Sequence, residues 1–344
     1  MQILLGIILS LLASGMATAL YAWLVWWLDH YEKEPWWLLA LVFLWGAVPA
    51  IVLALVVEFA LDIPVSVLGE GLAYEIAGSS LVAPAVEEVA KGMAVFSVLL
   101  FVRQEMDNIL DGIVYGAMAG LGFAFTENLF YMVGSLAEAG WGQWAAVLFM
   151  RAVLFGLNHA FFTGVTGGAL GYARLSGNPL ARVLVPFLGL GGAIIFHSIH
   201  NLGATLASVT CFSLAVSLLS DWAGILMLGL VIGLVWRQEM GWIQTQLEPE
   251  VGITLRREVY EQTASYPRRL NVQARALLRG DIRAWQLSRR LTQTATELAF
   301  KKHQLATLGG ETGTRQLIEN LRERLVSLQA SKITLVRNND YDLP

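Results

Sequence analysis

Seven side chains suited to hydrolysis interrupt runs that are otherwise apolar. They are Glu87, Glu88 and Lys91 in APAVEEVAKGMAVFSVLL, Glu127 in GFAFTEN, His159 in NHAFFTG, and His197 with Asn201 in HSIHN. On helices, Glu87 and Lys91 stand at i,i+4, Glu88 and Lys91 at i,i+3, and His197 and Asn201 at i,i+4, so each set shares a face. Lys91 can neutralise one glutamate and leave the other to exchange a proton. Two chemistries suit these groups. In one, a glutamate deprotonates a water while a histidine or Asn201 stabilises the developing oxyanion. In the other, Glu127, His159 and His197 hold a metal, Zn2+ or another divalent ion, with an open position for water and Glu87 or Glu88 as base. No HExxH helix occurs, so a metal site must be assembled from separate helices. The residues alone leave both routes open.

The elements that position these groups follow from composition. A chain of 344 residues that is 56% hydrophobic, 15% charged and holds twelve Trp belongs in a membrane. The single Cys211 excludes an intrachain disulfide framework and a cysteine-rich metal cluster. The first apolar run, Ile3 to Trp27, lacks a basic leader and is long for a signal-peptide core, so it is expected to stay on the protein as a spanning helix. Further runs near the roughly 20 residues needed to span lie at 36–58, 80–101, 113–133, 152–173, 183–206 and 212–236. The expected fold is all-α: a polytopic membrane domain of about seven helices over residues 1–238, then a cytoplasmic helical tail over 239–344.

Basic residues orient the spans, because Lys and Arg accumulate in cytoplasmic loops. Lys33, Arg103, Arg174 and Arg182 follow helices one, three and five, whereas the even loops hold none between the runs. Arg151 lies at an outer helix edge, where it can snorkel. Nearly all remaining Lys and Arg follow Trp236. The N-terminus is therefore expected outside and the tail in the cytoplasm. In the tail, Leu317, Leu321, Leu325 and Leu328 repeat at helical spacing, Asp281 after Gly280 suits an N-cap, and GGETG at Gly309 to Gly313 suits a break between helices. Such a hairpin packs on itself or on a second copy of the chain. No nucleic-acid module is present.

At 1.5 Å per residue, Glu87, Glu127, His159 and His197 all fall about 9–14 Å below the outer ends of their helices. Each has a plain structural explanation when taken singly: a hydrogen-bonded packing histidine, an i,i+4 ion pair, a glutamate bonded to neighbouring backbone. Agreement in depth across four helices argues instead for one polar site, since intramembrane charges are costly and usually functional. His200 lies off the His197 face and suits packing or support. Asp107 and Asp111 suit helix capping. Asp29 to Trp37 reads as a charged loop ending in interfacial tryptophans.

At these residues the chain resembles the PrsW family of intramembrane proteases, distant relatives of the CAAX prenyl endopeptidases. The motifs are EEVAK (Glu87 to Lys91), GFAFTEN (Gly122 to Asn128), NHAFFTGVTGGALG (Asn158 to Gly171) and HSIHN (His197 to Asn201), over roughly residues 20 to 206. The resemblance implies an intramembrane endopeptidase of metalloprotease type. Glu87 and Glu88 would be its catalytic pair, Glu127, His159 and His197 its metal-binding or water-positioning groups, and Asn201 polar support; Lys91, the cation that neutralises one glutamate, is counted with the catalytic residues. It implies a single-pass, anti-sigma-like membrane substrate and the bacterial inner membrane. In the prenyl endopeptidases a histidine stands where this chain has Glu127. The competing readings are a proton-coupled transporter, for which no inverted repeat is evident, and a non-enzymatic haem or metal protein ligated by His159 and His197.

Overall fold

Lipid offers no partner for backbone N–H and C=O groups, so apolar runs must close their own hydrogen bonds. The runs identified above accordingly fall on helices, the one at 152–173 with a break at residues 155–157, and no strand forms among the described residues. A computed structural model describes residues 2–31, 33–308 and 313–341. The helices are α1 (Gln2–Leu28), α2 (Trp36–Trp45), α3 (Ile51–Val65), α4 (Leu72–Glu75), α5 (Ala83–Phe101), α6 (Ile109–Phe149), α7 (Asn158–Leu175), α8 (Pro179–Thr205), α9 (Phe212–Leu247), α10 (Arg257–Thr263), α11 (Tyr266–Leu278), α12 (Ile282–Leu308) and α13 (Thr314–Tyr341). Wider π-helical turns join α2 to α3 (Gly46–Ala50), precede α5 (Ile76–Val82) and follow α6 (Met150–Leu154). Pro49 within the first removes a backbone donor there, a recurrent cause of such distortion.

Two compact units divide the chain: Met1–Asp29 with Glu34–Ile232, and His30–Lys33 with Gly233–Pro344. In the first, α6 packs against α1, α2, α5 and α7. A glycine stripe lets α6 approach α7 closely: a Cβ at Gly120 would stand 2.0 Å from the His159 carbonyl oxygen, and one at Gly112 would stand 2.1 Å from that of Gly167. Small residues at i,i+4 are what close helix packing in a membrane requires. The capping pair of α6 is Asn108 with Asp111: Asp111 N–H donates to Asn108 Oδ1 at 3.0 Å, and Asn108 N–H to Asp111 Oδ2 at 2.9 Å. Glu34, in the loop read as charged and ending in interfacial tryptophans, is buried and accepts a hydrogen bond from the Tyr115 hydroxyl.

Among the described residues, five stretches are long and apolar enough to cross a membrane: Ile3–Leu28, Trp36–Leu68, Ile109–Leu175, Pro179–Ser208 and Phe212–Glu250. The expected count of seven is not reached by that measure, for two reasons. The helix α5 carries Glu87, Glu88 and Lys91 within one apolar run. The segment 109–175, expected as two spans, counts as one.

The second unit is a helical domain with its own core of Ile243, Leu247, Leu255, Leu291, Leu298 and Leu321, among others. Of the leucine series, Leu321 and Leu325 are buried and Leu317 and Leu328 pack against them. Asp281 caps α12 by accepting from the Ala284 N–H at 2.8 Å. Most of the expected break at Gly309 to Gly313 lies outside the described residues. His30 is stacked between Trp236 and Tyr266, with both ring centroids 4.2 Å away.

Candidate active site

The site is built from α5 outward. Lys91, fully buried, places Nζ 2.5 Å from Glu88 Oε1, 3.4 Å from Glu87 Oε2 and 3.1 Å from His159 Nδ1, over the Phe123 ring at 4.3 Å. The spacing of one helical turn delivers both carboxylates to one ammonium, as the sequence predicts. Glu88 also accepts from the Thr163 hydroxyl at 2.9 Å and lies 3.0 Å from His197 Nδ1. Glu87 is less engaged: beyond Lys91, its Oε2 is 3.8 Å from His197 Nε2.

The histidines arrive on α7 and α8. Gly120 of α6 supports the backbone at His159, and Phe162 stacks on the His197 ring with centroids 4.8 Å apart. The two imidazoles stand edge to face at 5.1 Å. Glu127 of α6 reaches His159 Nε2 at 2.8 Å. Arg151 does not snorkel outward but turns in, donating to Glu127 Oε2 at 2.5 Å and to Asn128 Oδ1 at 2.6 Å. Each histidine thus has one ring nitrogen beside a carboxylate, an arrangement that fixes ring orientation in metal sites.

Donor atoms of Glu87, His159 and His197 all lie within 4.8 Å of one another. The structure therefore completes this trio with Glu87, where the sequence reading placed Glu127. Two imidazoles and a carboxylate form a donor set found in catalytic zinc sites, so the residues fit a divalent metal in type and spacing. Asn201 is not among them; its amide donates to the Ser79 carbonyl at 2.8 Å, tying α8 to the turn before α5.

A groove of about 610 Å³ reaches this cluster, lined by Glu58, Glu87, Phe123, Glu127, Tyr131 and Asn201 among others. Sequence reading missed Glu58, although an acid in an apolar helix is itself a signal. Its Oε1 is buried with no hydrogen-bond partner among the described residues. It missed Asp221 as well, fully buried in α9, 2.7 Å from His200 Nδ1 and 2.8 Å from Asn158 Nδ2. A larger apolar cavity of about 710 Å³ lines the other face of α5 with Val89, Met93 and Phe96, so size alone does not mark the site.

Comparison with known proteins bears on this geometry. Residues 34–234 match the family described as PrsW family intramembrane metalloprotease. Among similar proteins, Protease PrsW of Oceanobacillus iheyensis is 29% identical over 204 residues, covering 56% of this chain and 82% of that protein. Protease PrsW of Geobacillus kaustophilus is 30% identical over 165 residues (48% and 65%), and that of Bacillus subtilis is 33% identical over 107 residues (31% and 45%). No solved structure matches the chain.

Proposed function

The chain belongs to the PrsW family of intramembrane metalloproteases, and from that premise we propose that its peptide-bond hydrolysis is centred on Glu87 at the floor of the groove. The observation that carries this is the convergence of Glu87, His159 and His197 within 4.8 Å at a groove of about 610 Å³. On this reading the three hold a divalent metal, with Zn2+ the ion their donor set suits. Such an ion, when bound, polarises the scissile carbonyl and makes water a better nucleophile. Glu88 and Glu127 orient His197 and His159. Glu127, the carboxylate left beside the donor set, accepts the proton from the attacking water, and Arg151 holds it in place.

One observation favours a metal-free variant: the Lys91 ammonium stands 3.1 Å from His159 Nδ1 and 3.4 Å from Glu87. There Glu87 is itself the base and the histidines bind the water and the oxyanion. Both variants need Glu87. Glu87→Gln should lower cleavage of a single-pass reporter about a hundredfold or more while the protein still inserts; undiminished cleavage would discard the site. Loss of wild-type activity in chelator, restored by Zn2+, selects the metal variant, and chelator-insensitive activity selects the other.

The substrate is proposed to be a single-pass, anti-sigma-like membrane protein that reaches the groove between α3 and α5 from the bilayer. Residues 1–238 form the protease domain, crossing seven times, with α5 as a span and 109–175 crossing twice. The N-terminus lies outside the bacterial inner membrane. The tail, 239–344, is cytoplasmic and is the surface for self-association. Labelling of a cysteine in the 62–75 loop without permeabilisation tests the orientation; labelling only afterwards overturns it.

A further inference from the structure

His159 stands between two cavities. The groove lies on its Glu127 side. On the other side is a separate chamber of about 140 Å³, lined by Asn128, Arg151, Asn158, His159, His200 and Leu214 among others. Arg151 forms the partition, because it bonds Glu127, which lines the groove, and Asn128, which lines the chamber. The chamber runs from His159 to Ala204 and Leu214, residues that flank the turn between α8 and α9; Ala204 is exposed there.

The chamber is polar for a structural reason. Asp221 holds two of its walls, His200 and Asn158, from behind, and Ser217 Oγ adds a contact at 3.0 Å to His200 Nδ1. Asn158 is only 2% exposed, yet its Oδ1 has no hydrogen-bond partner among the described residues, and neither does Asp221 Oδ1. Asn158 lines the chamber, and an unpaired buried oxygen on a chamber with room for about four waters, at roughly 30 Å³ each, is a water site.

Hydrolysis adds one water across each peptide bond broken: the C–N bond breaks, the hydroxyl goes to the carbonyl carbon to make a carboxylic acid, and the remaining proton goes to the amine. A substrate segment that fills the groove blocks that side to solvent. We propose that the chamber between α6, α7, α8 and α9 is the water inlet of the enzyme, supplying the site from the α8–α9 turn past His200 and Asn158 while substrate occupies the groove. This rests on the assignment of the site above.

The test uses the full chain in lipid nanodiscs. Radiolytic hydroxyl labelling, which marks side chains beside bound water, should modify Met150 and Phe155 of the chamber several times faster than Met132, buried elsewhere, and Met93, which faces the apolar cavity. Ala204→Phe and Leu214→Trp, which narrow the chamber from different helices, should suppress Met150 labelling. They should lower kcat on the order of tenfold with KM unchanged, the pattern of a lost step after binding. Val216→Trp, on α9 but outside the chamber and 44% exposed, should change neither. Met150 labelled no faster than Met132, or narrowed variants with lost labelling but full kcat, overturns the inlet. If Glu87→Gln stays active while Met150 labels rapidly, the site assignment fails instead; an inactive Glu87→Gln with a dry Met150 removes only the inlet.

Discussion

Two buried carboxylates, one in each unit, meet cations in different ways. In the tail, Glu250 takes Lys302 Nζ at 2.6 Å and Arg322 Nη2 at 2.6 Å, and accepts from the Thr254 hydroxyl. Its cations are 16% and 31% exposed, so water shares their solvation. In the membrane unit, Glu88 and Lys91 are both fully buried, and the one ammonium is divided among Glu88, Glu87 and His159. Glu250 has its short contacts filled on both oxygens, which is what a structural ion pair needs. Lys91 has more acidic neighbours than it can neutralise, and the surplus falls on Glu87, the carboxylate that lines the groove. On the proposed reading, this incomplete pairing is what leaves Glu87 available for chemistry.

The largest effect should separate these two carboxylates. Glu88→Ala removes the shortest partner of the Lys91 ammonium, leaving only His159 Nδ1 at 3.1 Å and Glu87 Oε2 at 3.4 Å, and should cost about 3–5 kcal/mol, as breaking a buried pair does, read as a fall in the melting temperature of the purified protein. Proteolysis should be lost with it. A mild loss would mean that Glu87 can replace Glu88 and that the division described above is wrong. The next effect tests the support of His159. Gly120→Ala would press a methyl against the His159 carbonyl, and a displacement near 1 Å can cost about a hundredfold in rate. Gly134→Ala on the same helix meets nothing within 4 Å and should leave rates unchanged. Equal behaviour of the two variants would show that the close approach does not hold the histidine.

Glu250→Ala should be milder than Glu88→Ala, at about 1.5–3 kcal/mol, because Lys302 and Arg322 can turn to water. Faster amide exchange in α12 and α13 would report it. The smallest effect belongs to His303, half-buried against Trp242 with ring centroids 4.1 Å apart and its pKa lowered by that burial. The unfolded imidazole takes up its proton near pH 6.5, above the folded value. Stability of the tail should therefore be full above that pH and decline as pH falls toward the folded value. His303→Gln should flatten the decline, and an unchanged slope would assign it to other groups.

The sequence determined what depends on local spacing. Helical periodicity and apolar length place the helices of the membrane unit, though five rather than seven stretches are long and apolar enough to cross among the described residues, and one-turn spacing puts Glu87, Glu88 and Lys91 on one face. Buried charge at matched depth brings Glu127, His159 and His197 toward one layer without any side-chain detail. The roles within the layer were not legible, because they depend on rotation about each helix axis, which depth arithmetic does not see. Only packing sets that rotation. Contact at Gly120 fixes α7, and Glu88 takes His197, so that Glu87 completes the trio while Glu127 pairs with Arg151. Arg151 itself reads from sequence as a residue at the membrane edge; it turns inward because a carboxylate 24 positions earlier waits there. Glu58 and Asp221 stand as single acids in apolar runs, a signal of buried polarity with no local partner to say what they meet. Their neighbours, Glu87 and Glu127 across the groove and Asn158 and His200 behind the site, come from other helices, and only the tertiary structure brings those helices together.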